Sequence, residues 1–325
     1  MARSILPLTV LMLALVACGQ VITIALPGGP SPVAAAATAP TTVRGLGQLE
    51  PVPVGYERLF TNTSYGYRPS GPGEPVRRGE TSERFELRLG DCDGSDCPNG
   101  RARTEIREVV SGAKAKLNTD IWYGYSFLNG NVGSVTKATS PGAVFGQWKL
   151  DGDLPPVFRM TQQAATESNF AACDPSVCSP MGAATDDVVV ELEDMHITRQ
   201  WGAAQNNGAV CRLFNMQAAQ GKWMDIVVNT NFATDGNGYL RIWVNGELRC
   251  NYFGGLVSPQ GYLNANAVPT HRRGIFAAST KRWAAQPTAA GVPNMVVYYD
   301  EFLVGKSRAE VDTRLREANS AAAKD

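Results

Sequence analysis

The fold class of this chain is decided by the stretch Gly238-Tyr239-Leu240-Arg241-Ile242-Trp243-Val244-Asn245-Gly246. Its aliphatic side chains, Leu240, Ile242 and Val244, occupy alternate positions, with aromatic or charged side chains between them. A period of two is typical of a β-strand with one buried face. The closing Asn-Gly pair is a favoured two-residue turn, so the stretch predicts a strand that leads into a β-hairpin.

The same alternation recurs along the chain. Residues 85–89 and 223–228 repeat it, and the run Asp235-Gly236-Asn237-Gly238 supplies a further turn. Beyond residue 80, and up to residue 306, the sequence shows little helical periodicity. Many short strands joined by tight turns favour an all-β domain, and we predict a two-sheet β-sandwich over residues 55–306.

Only the C-terminal stretch, residues 307–325, has a helical pattern. Ser307-Arg308-Ala309-Glu310 matches a capping box, and Val311 and Leu315 form a single apolar stripe on an otherwise charged surface. We predict a short helix and tail that pack on the outside of the sandwich.

Composition bounds the function before any motif is considered. The chain has 325 residues, 44% of them hydrophobic, with 30 basic and 30 acidic side chains. This apolar content excludes a disordered polymer, and the balanced charge argues against a dedicated nucleic-acid-binding protein. The basic and acidic side chains are unevenly distributed along the chain, since residues 248–299 hold five basic side chains and no acidic one. A local cationic surface is therefore expected.

The N-terminal segment has the pattern of a bacterial export signal. An apolar run leads to Leu15-Val16-Ala17-Cys18, which has the form of a lipobox, where a lipoprotein is cleaved and its new N-terminal cysteine is acylated. We predict a lipoprotein-type signal peptide over residues 1–18, with Cys18 as the lipidated residue. The alternatives are an uncleaved anchor that runs on to Leu26 and a later cleavage near Ala36.

All three alternatives export the rest of the chain. Residues 19–54 are rich in Pro, Ala, Gly and Thr and carry almost no charge, which is typical of a tether. We expect a bacterial outer-membrane lipoprotein, or a periplasmic or extracellular protein. It is expected to act as a monomer and to contact the membrane only through the lipid anchor.

The six cysteines other than Cys18 fall into three pairs along the chain. In an exported protein such pairs are expected to form disulfides. Zinc binding is disfavoured because a zinc site needs four clustered ligands, and His196 and His271 are the only histidines in the sequence. The predicted disulfides are Cys92–Cys97, Cys173–Cys178 and Cys211–Cys250.

Seven segments carry a resemblance to one known family. The first is Arg101-Ala102-Arg103-Thr104-Glu105-Ile106-Arg107, and another is Phe145-Gly146-Gln147-Trp148-Lys149. The others are residues 122–127, 221–227, 238–246, 272–276 and 297–305. In their order along the chain these segments resemble polysaccharide lyases of the heparin lyase I type, which share a sandwich fold with alginate and glucuronan lyases. The resemblance implies a jelly-roll, concanavalin-like fold.

The resemblance also implies cleavage of a uronate-containing anionic polysaccharide by β-elimination. Such an enzyme removes the C5 proton of a uronic acid and expels the oxygen at C4, so its site must neutralise the carboxylate and supply a base and an acid. Arg103 and Gln147 are the implied neutralising residues. Arg107 shares a strand face with Arg103 and is expected to bind substrate. The alternative is an ion-pair ladder on the outer sheet, formed by the two arginines with Glu105.

Two departures from the family concern proton transfer. Lys149 stands where the family often has a histidine, and Phe276 where a Lys-x-Gly-x-Tyr strand would place a tyrosine. Phenylalanine cannot carry a proton, so we predict Lys149 as the base, with Tyr125 or His271 as its acid or base partner. Further candidates for that role are Tyr123 and Tyr252.

A second basic stretch predicts substrate binding. Arg272 follows His271, and Lys281 and Trp283 come shortly after. The cations suit carboxylate or sulfate groups, and a tryptophan can stack on a sugar ring. An ordinary exposed loop is the alternative.

The resemblance implies no required cofactor. Asp300 resembles the position where related sandwiches hold a structural calcium ion, so it is the candidate metal ligand.

Two other functions fit the same fold. The residues at positions 149 and 276 also suit a non-catalytic carbohydrate-binding surface lipoprotein. A glycoside hydrolase would need a pair of carboxylates, for which Glu191-Leu192-Glu193-Asp194 is the nearest candidate in the sequence.

Overall fold

The alternating segments fold as strands of two antiparallel sheets in the computed structural model. The structure describes residues 49–59, 62–134, 143–152, 154–163, 184–195, 208–258, 267–278, 280 and 294–322. Fourteen strands lie within these residues. Their bounds are β1 (Tyr56–Leu59), β2 (Tyr67–Pro69), β3 (Glu83–Leu87), β4 (Ala102–Glu108), β5 (Ile121–Asn131), β6 (Ala143–Leu150), β7 (Phe158–Gln163), β8 (Asp187–Glu191), β9 (Ala209–Asn215), β10 (Trp223–Thr230), β11 (Tyr239–Val244), β12 (Glu247–Phe253), β13 (Pro269–Ala277) and β14 (Met295–Gly305).

Each sheet contains seven of these strands. The first sheet has the order β1-β4-β13-β6-β7-β8-β9, and the second has the order β12-β11-β10-β5-β14-β3-β2. Strands adjacent in sequence often lie in different sheets, as β4 and β5 do, so the chain crosses repeatedly between the two layers. The predicted all-β fold, a two-sheet sandwich of the jelly-roll type, is confirmed.

The hairpin predicted from the Asn-Gly pair joins β11 to β12. Asn245 and Gly246 have φ values of 52° and 87°, which is the left-handed backbone that a type I′ turn requires. Val244 pairs with Glu247 across this turn. Leu240, on the predicted inner face of β11, is fully buried.

Aromatic side chains fill the space between the sheets. Trp148 of the first sheet stacks on Phe158 with ring centroids 4.5 Å apart. Tyr125 and Tyr299 of the second sheet pack with centroids 5.9 Å apart. Because these side chains face inward, the alternate residues of the same strands face outward. On the first sheet, the outer face is therefore the one directed away from the second sheet.

Two of the three predicted disulfides are present in the described residues. Cys92–Cys97 closes a short loop before β4. Cys211–Cys250 joins β9 to β12, which are edge strands of the first and the second sheet. This second disulfide therefore links the two layers at one side of the sandwich. The third pair, Cys173–Cys178, lies outside the described residues.

The C-terminal segment packs on the sandwich as expected, but it forms two helices where one was predicted. Helix α1 (Arg308–Val311) ends at Asp312, whose backbone is extended, and α2 (Thr313–Ala322) follows. Val311 is fully buried, whereas Leu315 is 39% exposed. The apolar stripe is thus limited to Val311, because the break at Asp312 changes the direction of the second helix.

The residues described belong to one compact unit, Gly45–Asp325. The predicted signal peptide with Cys18 lies outside them, as does the tether up to residue 48. Within the described part of the chain, the helices are too short or too polar for a membrane span.

Candidate functional site

A row of polar side chains crosses the outer face of the first sheet. Arg272 of β13 is paired with Arg107 of β4 on one side and with Gln147 of β6 on the other. Gln147 is in turn paired with Arg159 of β7. Residues directly opposite each other on antiparallel strands lie on the same face. Four strands thus bring three arginines and a glutamine into one row.

Part of this row lines a cavity with a volume of ≈ 280 Å³. Residues 154–156 and Phe276 of β13 are among the residues that line it. Its described lining includes a single acidic side chain, Glu193. The basic side chains that line it are Arg101, Arg103, Lys149, Arg159 and Arg272. With this excess of positive charge, the cavity is suited to an anionic ligand.

Arg103 is held in a fixed orientation by two carboxylates. Its guanidinium pairs with Asp96, which lies in the loop closed by Cys92–Cys97, and Nη1 donates to Glu105 at 3.1 Å. Burial would lower the pKa of Arg103, but the charges of Glu105 and Asp96 outweigh it and raise that pKa. Its guanidinium also lies over the ring of Phe276, 4.6 Å from the centroid. Arg103 is therefore a permanent, preorganised cation.

Glu105 organises the floor of the cavity. Besides Arg103, it accepts a hydrogen bond from Gln147 Nε2 at 2.6 Å. The carboxylate is almost completely buried, so it orients the two cavity side chains and is shielded from solvent. Arg103 and Glu105 thus form an ion pair, and this pair lies on the face of the sheet that lines the cavity.

Arg272 differs from Arg103 because it lacks a carboxylate partner among the described residues. Its Nε atom is buried and has no hydrogen-bond partner in the described part of the chain. Burial lowers the pKa of Arg272, and Arg103 and Arg107 contribute in the same direction, although Glu105 opposes them. The guanidinium remains charged at neutral pH. A buried cation with an unsatisfied donor is a strong site for a carboxylate ligand.

Lys149 lines the cavity, but its contacts are those of a donor. Its Nζ donates to the carbonyl oxygens of Leu154 and Gly152, the latter at 2.9 Å. These carbonyl oxygens interact more strongly with a charged ammonium than with a neutral amine. The geometry therefore favours a role for Lys149 as a cation that binds substrate, and it does not favour the predicted role as a base.

Tyr125 and His271 do not face the cavity, contrary to the prediction. His271 is 1% exposed and stacks on Phe302 between the sheets, with centroids 4.4 Å apart. The Tyr125 hydroxyl contacts Met160 Sδ at 3.1 Å in the same layer. Burial raises the pKa of Tyr125 and lowers that of His271. The physical reason is strand alternation, since His271 precedes the outward-facing Arg272 and must point the other way.

The two further tyrosine candidates are also interior. Tyr123 and Tyr252 are 0% and 2% exposed, respectively. Arg273, next to Arg272 in the basic stretch, is buried as well and forms an ion pair with Glu83. The described part of the basic stretch is thus divided between the two faces of β13, and of its described basic side chains Arg272 alone lines the cavity.

The remaining predicted site residues lie elsewhere. Arg107 is on the outer face but at the margin, where its Nε is 2.5 Å from Glu57 Oε1 and both side chains are nearly half exposed. Lys281 and Trp283, and likewise His196, lie outside the described residues. Their predicted roles stay predictions.

Asp300 has partners that leave little capacity for a calcium ion. Its Oδ2 accepts backbone hydrogen bonds from Arg77 and Arg78 at 2.7 and 3.1 Å, and Oδ1 accepts one from Glu301 at 2.7 Å. The described residues contain no group of three or more His, Cys, Asp or Glu side chains that could hold a metal. The surroundings of Asp300 thus do not fit the predicted ion, and the carboxylate instead fixes the loop at residues 77–78.

Glu193 is a cavity residue that sequence reasoning considered only as part of a carboxylate pair. Its neighbour Glu191 is almost fully buried and accepts hydrogen bonds from Arg159 and Thr161 at 2.6 and 3.1 Å. Because Glu191 does not line the cavity, the two carboxylates do not form the open pair that glycoside hydrolysis needs. In the sequence, the acidic run at the end of β8 was the signal that could have pointed to Glu193. Whether this side chain faces the cavity, however, depends on the fold.

Comparisons with known proteins identify related folds and one family. A family model described as polysaccharide lyase matches residues 65–303. A search of curated proteins found no match.

Several solved structures are similar to the chain. Endo-β-1,4-glucuronan lyase from the fungus Trichoderma reesei is 16% identical with a TM-score of 0.46, and the alignment covers 76% of this chain and 90% of that one. A family 7 alginate lyase, A1-II′, is 13% identical with a TM-score of 0.44, covering 75% and 82%. A polysaccharide lyase family 18 structure, aly-SJ02, is 13% identical with a TM-score of 0.41, covering 74% and 93%.

Proposed function

Because the chain belongs to the polysaccharide lyase family, we propose that it cleaves a uronate-containing anionic polysaccharide by β-elimination and leaves an unsaturated uronate at the new end. The observation that carries the proposal is the cationic cavity on the outer face of the first sheet, where Arg272 has an unsatisfied buried donor beside Gln147.

The reaction explains why such a cavity is needed. The C5 proton of a uronate is weakly acidic while the adjacent carboxylate is charged, because its removal places further negative charge on the same group. Arg272 would pair with the carboxylate, and Gln147 would donate a second hydrogen bond to it. Gln147 is held by its hydrogen bond to Glu105, and Arg272 is paired with it on the adjacent strand, so the two donors are close to the positions where they would stabilise the enolate.

Arg103 supports this arrangement from the neighbouring strand. Its carboxylate partners hold it in place, and Glu105 connects it to Gln147 through one shared carboxylate. Lys149 supplies another cation on the same face. A polymer with repeated negative charges therefore meets several fixed cations, which favours an anionic substrate over a neutral one.

The test is product formation from defined polymers. Glucuronan, alginate, heparin and chondroitin are incubated with the purified protein, and the ultraviolet absorbance of the unsaturated uronate is followed. We expect a signal with at least one uronate polymer and none with a neutral glucan. Absence of a signal with every uronate polymer would contradict the proposal.

Arg272 provides the variant that links activity to the cavity. Arg272→Ala removes the unpaired guanidinium, and we expect kcat to fall by about 10²–10³, the typical loss when one stabilising donor is removed. Arg249→Ala is the matched control, because Arg249 is a half-exposed arginine on β12 of the second sheet. Equal activities of the two variants would refute the assignment of Arg272.

A further inference from the structure

The predicted proton-transfer residues Tyr125 and His271 lie between the sheets, and Lys149 is committed to carbonyl acceptors. Among the described residues that line the cavity, one carboxylate can accept and return a proton. We propose that Glu193 is the catalytic residue that removes the C5 proton of the substrate. This inference rests on the β-elimination proposed above.

The backbone around Glu193 is firmly anchored. The residue follows β8 and begins a helical turn at residues 193–195. The next side chain, Asp194, is buried and accepts hydrogen bonds from Ser258 N and Oγ at 2.7 and 2.9 Å, while its own N–H donates to Pro156 O at 2.8 Å. Leu192 is fully buried on the other side. These contacts fix the position of Glu193 beside the cavity wall.

The carboxylate itself is only partly committed. Its Oε2 lies 2.7 Å from Arg159 Nη1, but the pair lacks hydrogen-bond geometry, and Oε2 has no hydrogen-bond partner among the described residues. The side chain retains 18% of its exposure. Oε2 is itself buried, so the exposed part of the Glu193 side chain lies elsewhere, and the residue lines the cavity. Glu105, by contrast, is buried beneath Arg103 and Gln147.

The charges around Glu193 come from three strands and the segment before β4. Burial raises the pKa of Glu193; Arg159 and Lys149 oppose this, as does Arg101, whereas Glu191 adds to it. A carboxylate with a raised pKa is a stronger base than an exposed one.

The proposed step needs no further reactant. The Glu193 carboxylate takes the proton from C5, and the C–H electron pair becomes the second bond between C4 and C5. The C4–O bond breaks with its electron pair on the leaving oxygen. The same carboxyl group returns the proton to that oxygen, which regenerates Glu193 for the next turnover. Arg272 and Gln147 hold the substrate carboxylate throughout.

The first variant is Glu193→Gln, which preserves shape but removes the base. We expect kcat to fall by about 10²–10⁴, the usual contribution of general acid–base catalysis, with little change in KM. Glu247→Gln is the matched control, because Glu247 is an exposed glutamate on β12. It should retain full activity. An active Glu193→Gln enzyme would overturn the inference.

A structural role through Arg159 predicts a different pattern. If Glu193 only positioned Arg159, Arg159→Gln would show the same loss, and adding Glu193→Gln to it would have no further effect. We expect instead that the double variant is less active than Arg159→Gln alone. The acid limb of the kcat/KM profile should also disappear in Glu193→Gln.

Chemical rescue covers the case in which Glu193→Gln fails to fold. Glu193→Ala leaves space at the cavity, and added formate should restore part of the activity, because a small carboxylate can replace the missing base. Lack of rescue in a folded Glu193→Ala protein would count against the assignment. The wild-type assay separates the two proposals, since an inactive wild type refutes the lyase proposal, and an active wild type with active variants refutes only the role of Glu193.

Discussion

The two described disulfides should differ in what they do, and the difference can be measured. Cys211–Cys250 spans 39 residues, whereas Cys92–Cys97 spans five. Constraining the unfolded chain stabilises the fold by an amount that grows with the logarithm of loop length. That relation gives about 4 kcal/mol for the long loop and about 2 kcal/mol for the short one at 25 °C. The long-range disulfide should therefore contribute roughly twice as much stability.

The perturbation is replacement of each pair by two alanines, which avoids placing hydroxyl groups in the buried Cys211–Cys250 site. Denaturant unfolding should show a loss of about 4 kcal/mol for the Cys211/Cys250 variant and about 2 kcal/mol for the Cys92/Cys97 variant. For a domain of this size, each kcal/mol corresponds to a decrease of about 2–4 °C in the melting temperature.

The loss of catalytic activity should be larger for the Cys92/Cys97 variant than for the Cys211/Cys250 variant, which is the opposite of the order expected for stability. The Cys92–Cys97 loop carries Asp96, which holds Arg103 in the cavity. Its loss should therefore lower kcat even though the stability change is the smaller one. The Cys211/Cys250 variant should keep its turnover per folded molecule, because this disulfide joins the sheet edges outside the cavity lining. The reasoning is refuted if the two stability losses are equal or reversed in order.

Two further predictions concern the core and the C-terminal helix. Gly124→Ala should destabilise the protein by about 1–3 kcal/mol in denaturant unfolding, because an added Cβ would lie 1.9 Å from Val311 O and displace α1. Gly236→Ala, whose Cβ would meet nothing within 4 Å, should be nearly neutral, and equal losses would disprove this packing argument. His271 is neutral in the folded state because burial, and secondarily Arg273, lowers its pKa. Below about pH 6.5 the imidazole of the unfolded state binds a proton and that of the folded state does not. The free energy of unfolding should therefore decrease as the pH is lowered below this value, by up to about 1.4 kcal/mol per pH unit. His271→Phe should flatten that acid slope, and an unchanged slope would exclude His271 as its source.

The sequence by itself determined the strands and the shortest-range links. The alternation in residues 239–244 and the Asn245-Gly246 turn are local properties, because side-chain direction in a strand depends only on position and the turn depends on two φ values. The same holds for the disulfide between Cys92 and Cys97, which are close in the chain. These features need no knowledge of which strands become neighbours.

The spacing in the sequence placed Arg103, Glu105 and Arg107 on one face of a strand, but which face lines the cavity, and which residues could transfer a proton there, required the fold. Alternation places His271 and Arg272 on opposite faces, yet it does not say which face is the cavity. That choice is made by the packing of the second sheet, which covers His271 and leaves Arg272 outward.

Glu193 is the clearest example of a candidate site residue that the sequence pattern alone could not identify. It is separated from Arg272 by nearly 80 residues in the sequence, and the two share a cavity only because β13, β6, β7 and β8 are consecutive in one sheet. Strand order is a long-range property, decided by which hydrophobic faces pack together and which hydrogen-bonding edges are satisfied. Sequence pattern therefore determined the strands, and tertiary packing decided which side chains form the site.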